Sequence, residues 1–394
     1  MRIVFAIALT SAALCTSARA DETVFASSFE PAWVLGYHVG YQSGFYADPD
    51  NNAYPTNKID FSALSHIVIG PVVPNTDGTL ITTFSIDAVN GPAWASAVAA
   101  AAHTANRKAL LMIGGAGAIT GWQGAASAAH RTTFVTNLLN EMDAIGADGL
   151  DLDWEPLDVF DSSGTDYADF AALAQALRTA RPSMILTVPV GPINVNYFPT
   201  SDSFFGSIAP LFDRIDIMTY DMEWDSGGWN SWFSSALHGE SGTTPTSVDS
   251  SVAYYLASGV PRSKLGIGTG FYGACWQGIT GPRQSIGAGA GIIGSDNTYS
   301  YHTIVTQYYS AANYHYDVTA DAPWLGSATP FGPNGCNFLS YENAASVATK
   351  GAYATRNGLG GAIIWTIGEG YVPENAGQEN ALLDALSAAF HPTP

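Results

Sequence analysis

The sequence predicts an α/β fold, a (β/α)8 TIM barrel with a small α+β insertion between its seventh and eighth strands. The first observation is that eight short segments of near-continuous hydrophobicity recur along the 394 residues, as is typical of parallel strands buried on both faces. The second is that amphipathic segments, typical of helices, separate these strands. The third is length, because such a barrel uses about 250 residues and tolerates insertions.

The predicted strands follow the chain at residues 34–41, 65–72, 109–113, 149–154, 184–190, 214–220, 265–271 and 361–367. Examples of the predicted helices are residues 131–145, 166–179, 248–258 and 343–356. An open doubly wound sheet is the structural alternative, but it usually has fewer strands and carries a glycine-rich phosphate-binding turn. Gly114, Gly115 and Gly117 match that turn only in part, and no acidic ribose partner follows. The sequence therefore predicts a closed barrel and no cofactor.

The first 20 residues have the features of a secretory signal peptide. Arg2 precedes an apolar run that reaches Leu14, and Ala18-Arg19-Ala20 is a small-residue cleavage motif. The run is too short to span a bilayer. A lipid anchor on Cys15 is an alternative, although Leu14 is a poor residue before a lipidated cysteine. We expect a secreted protein, extracellular or periplasmic, with a catalytic barrel at residues 21–394.

The composition excludes several classes of partner. The formal net charge is −20 with only 14 Lys and Arg, so the attraction that drives binding to nucleic acid or anionic membranes is missing. Neutral or basic substrates fit better. The 8 histidines are scattered, and no Cys-x-x-Cys or His-Glu-x-x-His spacing occurs, so no metal site is predicted. The composition leaves the oligomeric state open.

The stretch between the seventh and eighth predicted strands is far longer than one helix requires. Its aromatic residues include Tyr301, Tyr308, Tyr309, Tyr314, Tyr316 and Trp324. This content favours a folded α+β subdomain at residues 276–338, walling one side of a cleft, over a disordered loop. In an oxidising compartment Cys275 and Cys336 can pair and tie the ends of the insertion together, and two buried thiols are the alternative.

The fourth predicted strand carries the chemistry. Side chains alternate along a strand, so Asp151, Asp153 and Glu155 point to one face, which in a barrel is the interior. Glu155 comes last and emerges at the carboxyl-terminal rim, where barrel active sites lie. Three stacked acids disfavour simultaneous ionisation, so at least one pKa should be raised and protons should be shared. A calcium-binding run is the alternative, but calcium loops place their oxygen ligands on a flexible turn, whereas leucine and tryptophan separate these acids.

Residues 148–155, DGLDLDWE, match the signature D-G-x-D-x-D-x-E of glycoside hydrolase family 18 at every specified position, and the chain resembles that family over nearly its whole mature length. Further family landmarks occur in order around the predicted barrel: Gly36-Tyr37, Gly114-Gly115, Met218-Thr219-Tyr220-Asp221, Phe271-Tyr272-Gly273 and Trp365. The resemblance implies a retaining chitinase that cleaves β-1,4 bonds in chitin and N-acetylglucosamine oligosaccharides.

The resemblance also implies the role of each site residue. The family has no carboxylate nucleophile, and the 2-acetamido oxygen of the sugar attacks the anomeric carbon instead. Glu155 would protonate the leaving oxygen, Asp153 would stabilise the oxazolinium, and Asp151 would share a proton with Asp153. Tyr220 would donate its hydroxyl to the acetamido oxygen. The implied substrate contacts are Trp365 as an apolar floor, Tyr37 as a polar wall, and Met218, Asp221, Tyr272 and Trp224.

Some positions depart from the family pattern. Met112 stands where the family has the serine of S-x-G-G, and Ile69-Gly70 stands where an aromatic residue is common. The residues after Trp365 read Thr-Ile-Gly-Glu. These departures bear on substrate length and subsites rather than on the acid. Four tryptophans fall in predicted rim loops, where rings stack on sugars or simply pack in the protein: Trp224, Trp229, Trp232 and Trp276.

Two other functions remain open at the level of sequence. One is an endo-β-N-acetylglucosaminidase acting on glycoprotein glycans, and the other is a chitin-binding lectin on the same barrel. The predicted insertion and Trp154 favour chitin over glycoproteins. Glu155 favours an enzyme, because lectins of this kind lose the terminal acid.

Overall fold

A computed structural model of the protein describes residues 32–45, 53–157, 165–194, 196 and 201–390. The signal peptide predicted at residues 1–20 lies outside these residues and stays a prediction. Within the described residues the strands are β1 (Trp33–Val39), β2 (His66–Pro74), β3 (Leu80–Ile81), β4 (Lys108–Gly114), β5 (Gly149–Asp153), β6 (Ile185–Val190), β7 (Arg214–Ile217), β8 (Leu265–Gly270), β9 (Gly273–Gln277), β10 (Gly291–Gly294), β11 (Tyr314–Asp317), β12 (Ala322–Phe331), β13 (Cys336–Tyr341) and β14 (Gly361–Trp365).

The α-helices of the described residues alternate with the longer parallel strands. They are α1 (Asn90–Thr104), α2 (Ile119–Ala126), α3 (Arg131–Ile145), α4 (Asp166–Ala180), α5 (Phe204–Ile208), α6 (Val248–Ala257), α7 (Tyr301–Thr303), α8 (Ala344–Arg356) and α9 (Ala381–Phe390). The predicted helix at 343–356 begins one residue later, because the Asn343 side chain instead caps α8 and accepts a hydrogen bond from the Ser346 N–H, at 3.0 Å.

Eight parallel strands close into a barrel, and the predicted fold class is confirmed. They are hydrogen-bonded in the order β1-β14-β8-β7-β6-β5-β4-β2, and β1 pairs with β2 to complete the ring. Strand β3 adds a short antiparallel pairing to β2. Each predicted strand overlaps an observed one. The largest difference is at the sixth, which was predicted to reach Tyr220 and ends at Ile217.

The side chains of the barrel strands fill two separate cores. Those that point outward pack against the surrounding helices in one large cluster, as with Ile67 on β2 and Ile267 on β8. Those that point inward form a smaller cluster inside the barrel, which includes Leu35, Val68 and Ile363. This alternation fixes which residues of a strand can reach the barrel mouth.

A second sheet lies between β8 and β14 in the chain. Its five antiparallel strands are ordered β10-β9-β13-β12-β11, with two apolar clusters of their own. The predicted limits of 276–338 fall inside β9 and β13, so the sheet begins earlier and ends later than expected. A disulfide joins Cys275 on β9 to Cys336 on β13, with the Cα atoms 5.5 Å apart.

Candidate active site

Strand β5 carries two of the three predicted acids into the barrel. The side chains of Asp151 and Asp153 are buried, with 1% and 2% of their surface exposed. Glu155 follows the strand, is half-buried, and lines the cavity at the carboxyl-terminal mouth. The three acids therefore run from the interior to the rim, as the alternation of the strand predicts.

Asp151 lies deepest and is held by two hydroxyl groups. Tyr37 on β1 donates to Asp151 Oδ2 at 2.7 Å, and Thr187 on β6 donates to Oδ1 at 2.5 Å. Burial raises the pKa of Asp151 to about 6, although both hydroxyls act in the opposite direction. Thr187 is a partner that the sequence pattern did not single out.

Asp153 and Glu155 form a hydrogen-bonded pair. Burial raises the pKa of Asp153 well above its usual range, and the charges of Glu155 and Asp151 raise it further. Burial also raises the pKa of Glu155, while the Ala116 N–H donates to its carboxyl group. The pair therefore holds a proton near neutral pH. The proton sharing expected between Asp153 and Asp151 stays a prediction, and the charge of Asp151 contributes to the raised pKa of Asp153.

The turn after β4 fixes the backbone between these acids. The carbonyl oxygen of Asp153 accepts hydrogen bonds from the Gly115 N–H at 2.7 Å and from Trp122 Nε1 at 3.1 Å. Gly114 adopts a φ of +97°, and a Cβ atom there would lie 2.2 Å from Trp122 Nε1. Glycine is required here because any side chain would displace the donor that holds Asp153.

A cavity of about 160 Å³ brings most of the predicted site residues together. Those that line it are Tyr37, Asp153, Glu155, Met218, Tyr220, Asp221, Tyr272 and Trp365. The rings of Tyr37 and Trp365 are 5.5 Å apart, and those of Tyr220 and Tyr272 are 5.9 Å apart. Asp151 lies beneath this cavity, and Trp224 lines a second one. We call the space of about 160 Å³ the small cavity.

The segment after β7 turns sharply to present its side chains. Thr219 Oγ1 donates to the Gly268 carbonyl at 2.6 Å and accepts from the Gly268 N–H at 2.9 Å. Asp221 adopts a φ of +51°, a conformation that aspartate tolerates better than most residues. This turn ends the predicted strand early and places Met218 and Tyr220 beyond it, with Tyr220 buried and Asp221 at the exposed rim.

Sequence reasoning missed Asp296, which comes from the insertion. It lines the small cavity, and its Oδ1 accepts a hydrogen bond from Trp365 Nε1 at 2.9 Å. Glu369 lies beside Asp296, and burial raises the pKa of both carboxyl groups. No motif in the chain marks Asp296, since its place depends on how the second sheet packs over the barrel.

Two departures from the family pattern compensate each other. A Cβ atom at Gly70 would lie 2.6 Å from the Cβ of Met112 and 2.9 Å from its sulfur. The space that a side chain on β2 would take is therefore occupied by the methionine of β4. Met112 also reaches beneath Gly115, where a Cβ atom would lie 2.8 Å from its Cε.

The four rim tryptophans divide into two groups. Trp224 is 40% exposed and lines a cavity, and Trp229 is half-buried. Trp232 and Trp276 are fully buried, so the expectation that they could stack on sugars is wrong. Trp232 packs in the apolar cluster of the insertion and donates its Nε1 proton to the Thr246 carbonyl at 2.7 Å.

The described residues contain no group of three or more His, Cys, Asp or Glu side chains placed to hold a metal ion. Among the helices that the structure describes, none has the length and apolar character needed to cross a membrane.

Comparisons with known proteins agree with the fold. A family model described as glycosyl hydrolases family 18 matches residues 38–370. A probable endochitinase of Caenorhabditis elegans is 29% identical over 66% of this chain and 43% of its own length. The chain spans about half the length of the curated relatives it matches.

Solved structures are similar over nearly the whole chain. The group IV chitinase of Ostrinia furnacalis in complex with allosamidin has a TM-score of 0.73 at 22% identity, covering 91% of this chain and 98% of that one. The chitinase-like agglutinin of Robinia pseudoacacia has a TM-score of 0.68 at 22% identity, covering 90% of this chain and 99% of that one. At these identities the likeness concerns the fold.

Proposed function

Because the chain belongs to glycosyl hydrolase family 18, we propose that it is a secreted chitinase that cleaves β-1,4 bonds in chitin and its oligosaccharides with retention of configuration. The observation that carries the proposal is the hydrogen-bonded pair of Asp153 and Glu155 at the mouth of the barrel. One proton held by two acids supplies a proton donor and a neighbouring negative charge at the same place. The nucleophile is the 2-acetamido oxygen of the sugar, so the mechanism needs no carboxylate nucleophile.

The first step is an attack by the substrate on itself. The acetamido carbonyl oxygen bonds to the anomeric carbon from the face opposite the leaving group. The glycosidic C–O bond breaks, its electron pair stays on the leaving oxygen, and Glu155 gives that oxygen its proton. Asp153 accepts the acetamido N–H and stabilises the positive oxazolinium. A tethered nucleophile contributes through its high effective molarity.

The second step returns the proton. The Glu155 carboxylate takes a proton from a water molecule, whose oxygen attacks the anomeric carbon and opens the oxazolinium ring. The acetamido group is restored, and Glu155 is again an acid. Tyr220 would align the acetamido oxygen with its hydroxyl, and Trp365 would form the apolar floor under the sugar ring. Asp151, ionised and bonded to Tyr37, would keep the pKa of Asp153 high.

Two other functions on this barrel predict different products. An endo-β-N-acetylglucosaminidase would release intact glycans from a glycoprotein and leave chitin oligosaccharides untouched. A lectin would bind the oligosaccharides without cleaving them. Digestion of N-acetylglucosamine hexamer and of a high-mannose glycoprotein under the same conditions separates all three.

The stereochemistry tests the mechanism itself. Each of the two attacks inverts the anomeric carbon, so the first product from the hexamer should be the β-anomer. Proton NMR within the first minutes, before mutarotation, measures the anomeric ratio. A dominant α-anomer would contradict the acetamido mechanism.

A further inference from the structure

The floor of the small cavity is held by a residue that does not belong to the barrel. Trp365 ends β14, and its Nε1 donates a hydrogen bond at 2.9 Å to Oδ1 of Asp296, which lies between β10 and α7 in the insertion. Both side chains line the small cavity. An indole has a single N–H donor and no other polar group. The acceptor of that N–H therefore determines which way the ring faces.

The Asp296 carboxylate is in turn held by a chain of amide and hydroxyl groups. Its Oδ2 accepts from Asn297 Nδ2 at 2.8 Å, and Asn297 Oδ1 accepts from Gln42 Nε2 at 3.1 Å. Gln42 follows β1, and its Oε1 accepts from the Thr366 hydroxyl at 2.7 Å. Thr366 follows Trp365 in the chain, so these hydrogen bonds close a ring that joins the insertion to β1 and β14. A buried network of this kind makes its members rigid.

Glu369 supplies a second acid beside Asp296. Its side chain is fully buried, and its Oε2 accepts from the Thr366 N–H at 3.0 Å. Burial raises the pKa of Glu369 well above its usual range, and the charge of Asp296 raises it further. Burial also raises the pKa of Asp296, but the bonds from Trp365 and Asn297 favour its charged form. Glu369 therefore stays neutral, and Asp296 keeps the negative charge that strengthens the bond from the indole.

We propose that Asp296 is a positioning residue for the reaction and that it acts through Trp365. The proposal rests on the proposed function, which assigns Trp365 to the sugar under attack. Both carboxylate oxygens of Asp296 already accept hydrogen bonds from the protein. In the attack, the acetamido oxygen must be in line with the anomeric carbon, and a floor that turns lets the sugar settle out of line. A misplacement of about 1 Å costs up to about a hundredfold in rate.

The first test removes the carboxylate without straining the backbone. Asp296 has a φ of +56°, which glycine and asparagine adopt more readily than alanine. We expect Asp296→Gly to lower kcat on N-acetylglucosamine hexamer about tenfold. KM should stay within about twofold, because the other sugars still hold the substrate.

The conservative variant should rescue most of this loss. Asp296→Asn keeps an oxygen acceptor for Trp365, and the amides of Asn297 and Gln42 can reverse to match the new NH2 group. Its kcat should stay within about threefold of wild type, since the ring keeps its hydrogen bond. A loss in Asp296→Asn as large as that in Asp296→Gly would contradict a role that needs only the acceptor.

Asp321→Gly is the matched control. Asp321 belongs to the same insertion, has a φ of +48°, and is absent from the described lining of both cavities. This variant should leave kcat and KM unchanged. Equal losses in the two glycine variants, or wild-type kcat in correctly folded Asp296→Gly, would overturn the proposal.

A double-variant cycle separates an action through Trp365 from a direct action on the substrate. Trp365→Phe keeps an apolar ring but has no N–H to donate. In that background Asp296→Gly should lower kcat by no more than about twofold, because the effects of two residues in contact do not add. The same tenfold loss in both backgrounds would show that Asp296 acts independently of Trp365, and the proposal would fail.

The indole proton gives a readout that does not depend on turnover. With 15N-labelled tryptophan, Trp365→Phe identifies the Nε1–H resonance of Trp365 in NMR spectra. A hydrogen bond to a charged acceptor is worth about tenfold or more in an equilibrium. Exchange of this proton with solvent should therefore speed up at least about tenfold in Asp296→Gly and much less in Asp296→Asn. Unchanged exchange in Asp296→Gly would show that Asp296 does not hold the ring.

These outcomes are distinct from a failure of the proposed function. If the wild-type protein leaves N-acetylglucosamine hexamer intact, the proposed function fails. The exchange measurement then still decides whether Asp296 fixes Trp365, because it requires no substrate.

Discussion

A carboxylic acid can act as a proton donor at neutral pH when its surroundings penalise the charged form. At Glu155 burial raises the pKa, whereas the hydrogen bond with Asp153 stabilises the carboxylate and acts in the opposite direction. At Asp153 burial raises the pKa, and the charges of Glu155 and Asp151 raise it further. Two neighbouring acids that interact this strongly lose their protons in two separate steps that belong to the pair.

Glu155→Gln should abolish turnover while leaving substrate binding largely intact. Glutamine keeps the size and hydrogen-bonding shape of the side chain but has no proton to transfer, and general acid catalysis is worth about 10²–10⁴-fold. We expect kcat on N-acetylglucosamine hexamer to fall at least about a hundredfold. Affinity, measured by calorimetry, should change by less than about tenfold, or 1.4 kcal/mol.

Glu141→Gln on α3 is the control, because it makes the same change on a half-buried acid outside the site. It should leave kcat unchanged. Near-normal turnover by the correctly folded Glu155→Gln variant would show that Glu155 is not the general acid.

The pH profile should report the shared proton. The active form carries one proton on the pair, so kcat/KM should fall at high pH as that proton is lost and at low pH as a second proton is added. Burial raises the pKa of Asp151 to about 6, so Asp151 is charged across the alkaline limb of the profile, the pH range in which kcat/KM falls at high pH. Asp151→Asn removes a negative charge beside Asp153 and should move that limb toward acid by roughly one unit. A limb that stays in place, or moves to higher pH, would contradict this coupling.

At the scale of elements, the second sheet is joined to the barrel close to the proposed catalytic residues. Lys350 on α8 is fully buried and contacts Glu342, which follows β13 and is 3% exposed. Lys350 Nζ also donates to the Ser235 hydroxyl at 2.8 Å, and Ser235 donates to the Thr219 carbonyl at 2.6 Å. Thr219 lies between Met218 and Tyr220, so the ion pair supports the turn that carries them.

Lys350→Met should destabilise the protein strongly. It leaves the buried carboxylate of Glu342 without its cation, and breaking a buried pair from one side costs about 3–5 kcal/mol. The double variant Lys350→Met with Glu342→Met removes both charges and should recover most of that loss. Denaturant unfolding followed by circular dichroism measures the difference.

A surface pair supplies the control for that prediction. Lys108 contacts Asp148 at 2.7 Å with a side chain that is 55% exposed, so Lys108→Met should cost at most about 1 kcal/mol. If Lys350→Met were no more destabilising than Lys108→Met, the buried pair would not hold the sheet to the barrel.

At the scale of the whole molecule, the charge suits a neutral polymer. The chain carries a net charge of −20. The described lining of the two cavities includes the acids Asp153, Glu155, Asp221 and Asp296 and contains neither Lys nor Arg. Anionic polymers are disfavoured at such a surface, whereas chitin bears no charge that the field would repel. Aromatic rings in the small cavity supply attraction that does not depend on charge.

The sequence by itself determined the barrel and the line of acids. Strands buried on both faces leave apolar runs, and a period of two places Asp151, Asp153 and Glu155 on one face, so both features can be read locally. The tertiary structure decided what no local pattern encodes. Asp296 reaches Trp365 only because the second sheet packs over the barrel. Trp232 and Trp276 are buried by that same packing. The cavity that Trp224 lines depends on how helices α4, α5 and α6 meet the end of β6. Contacts of this kind join residues distant in the chain, and burial sets both their pKa values and their packing.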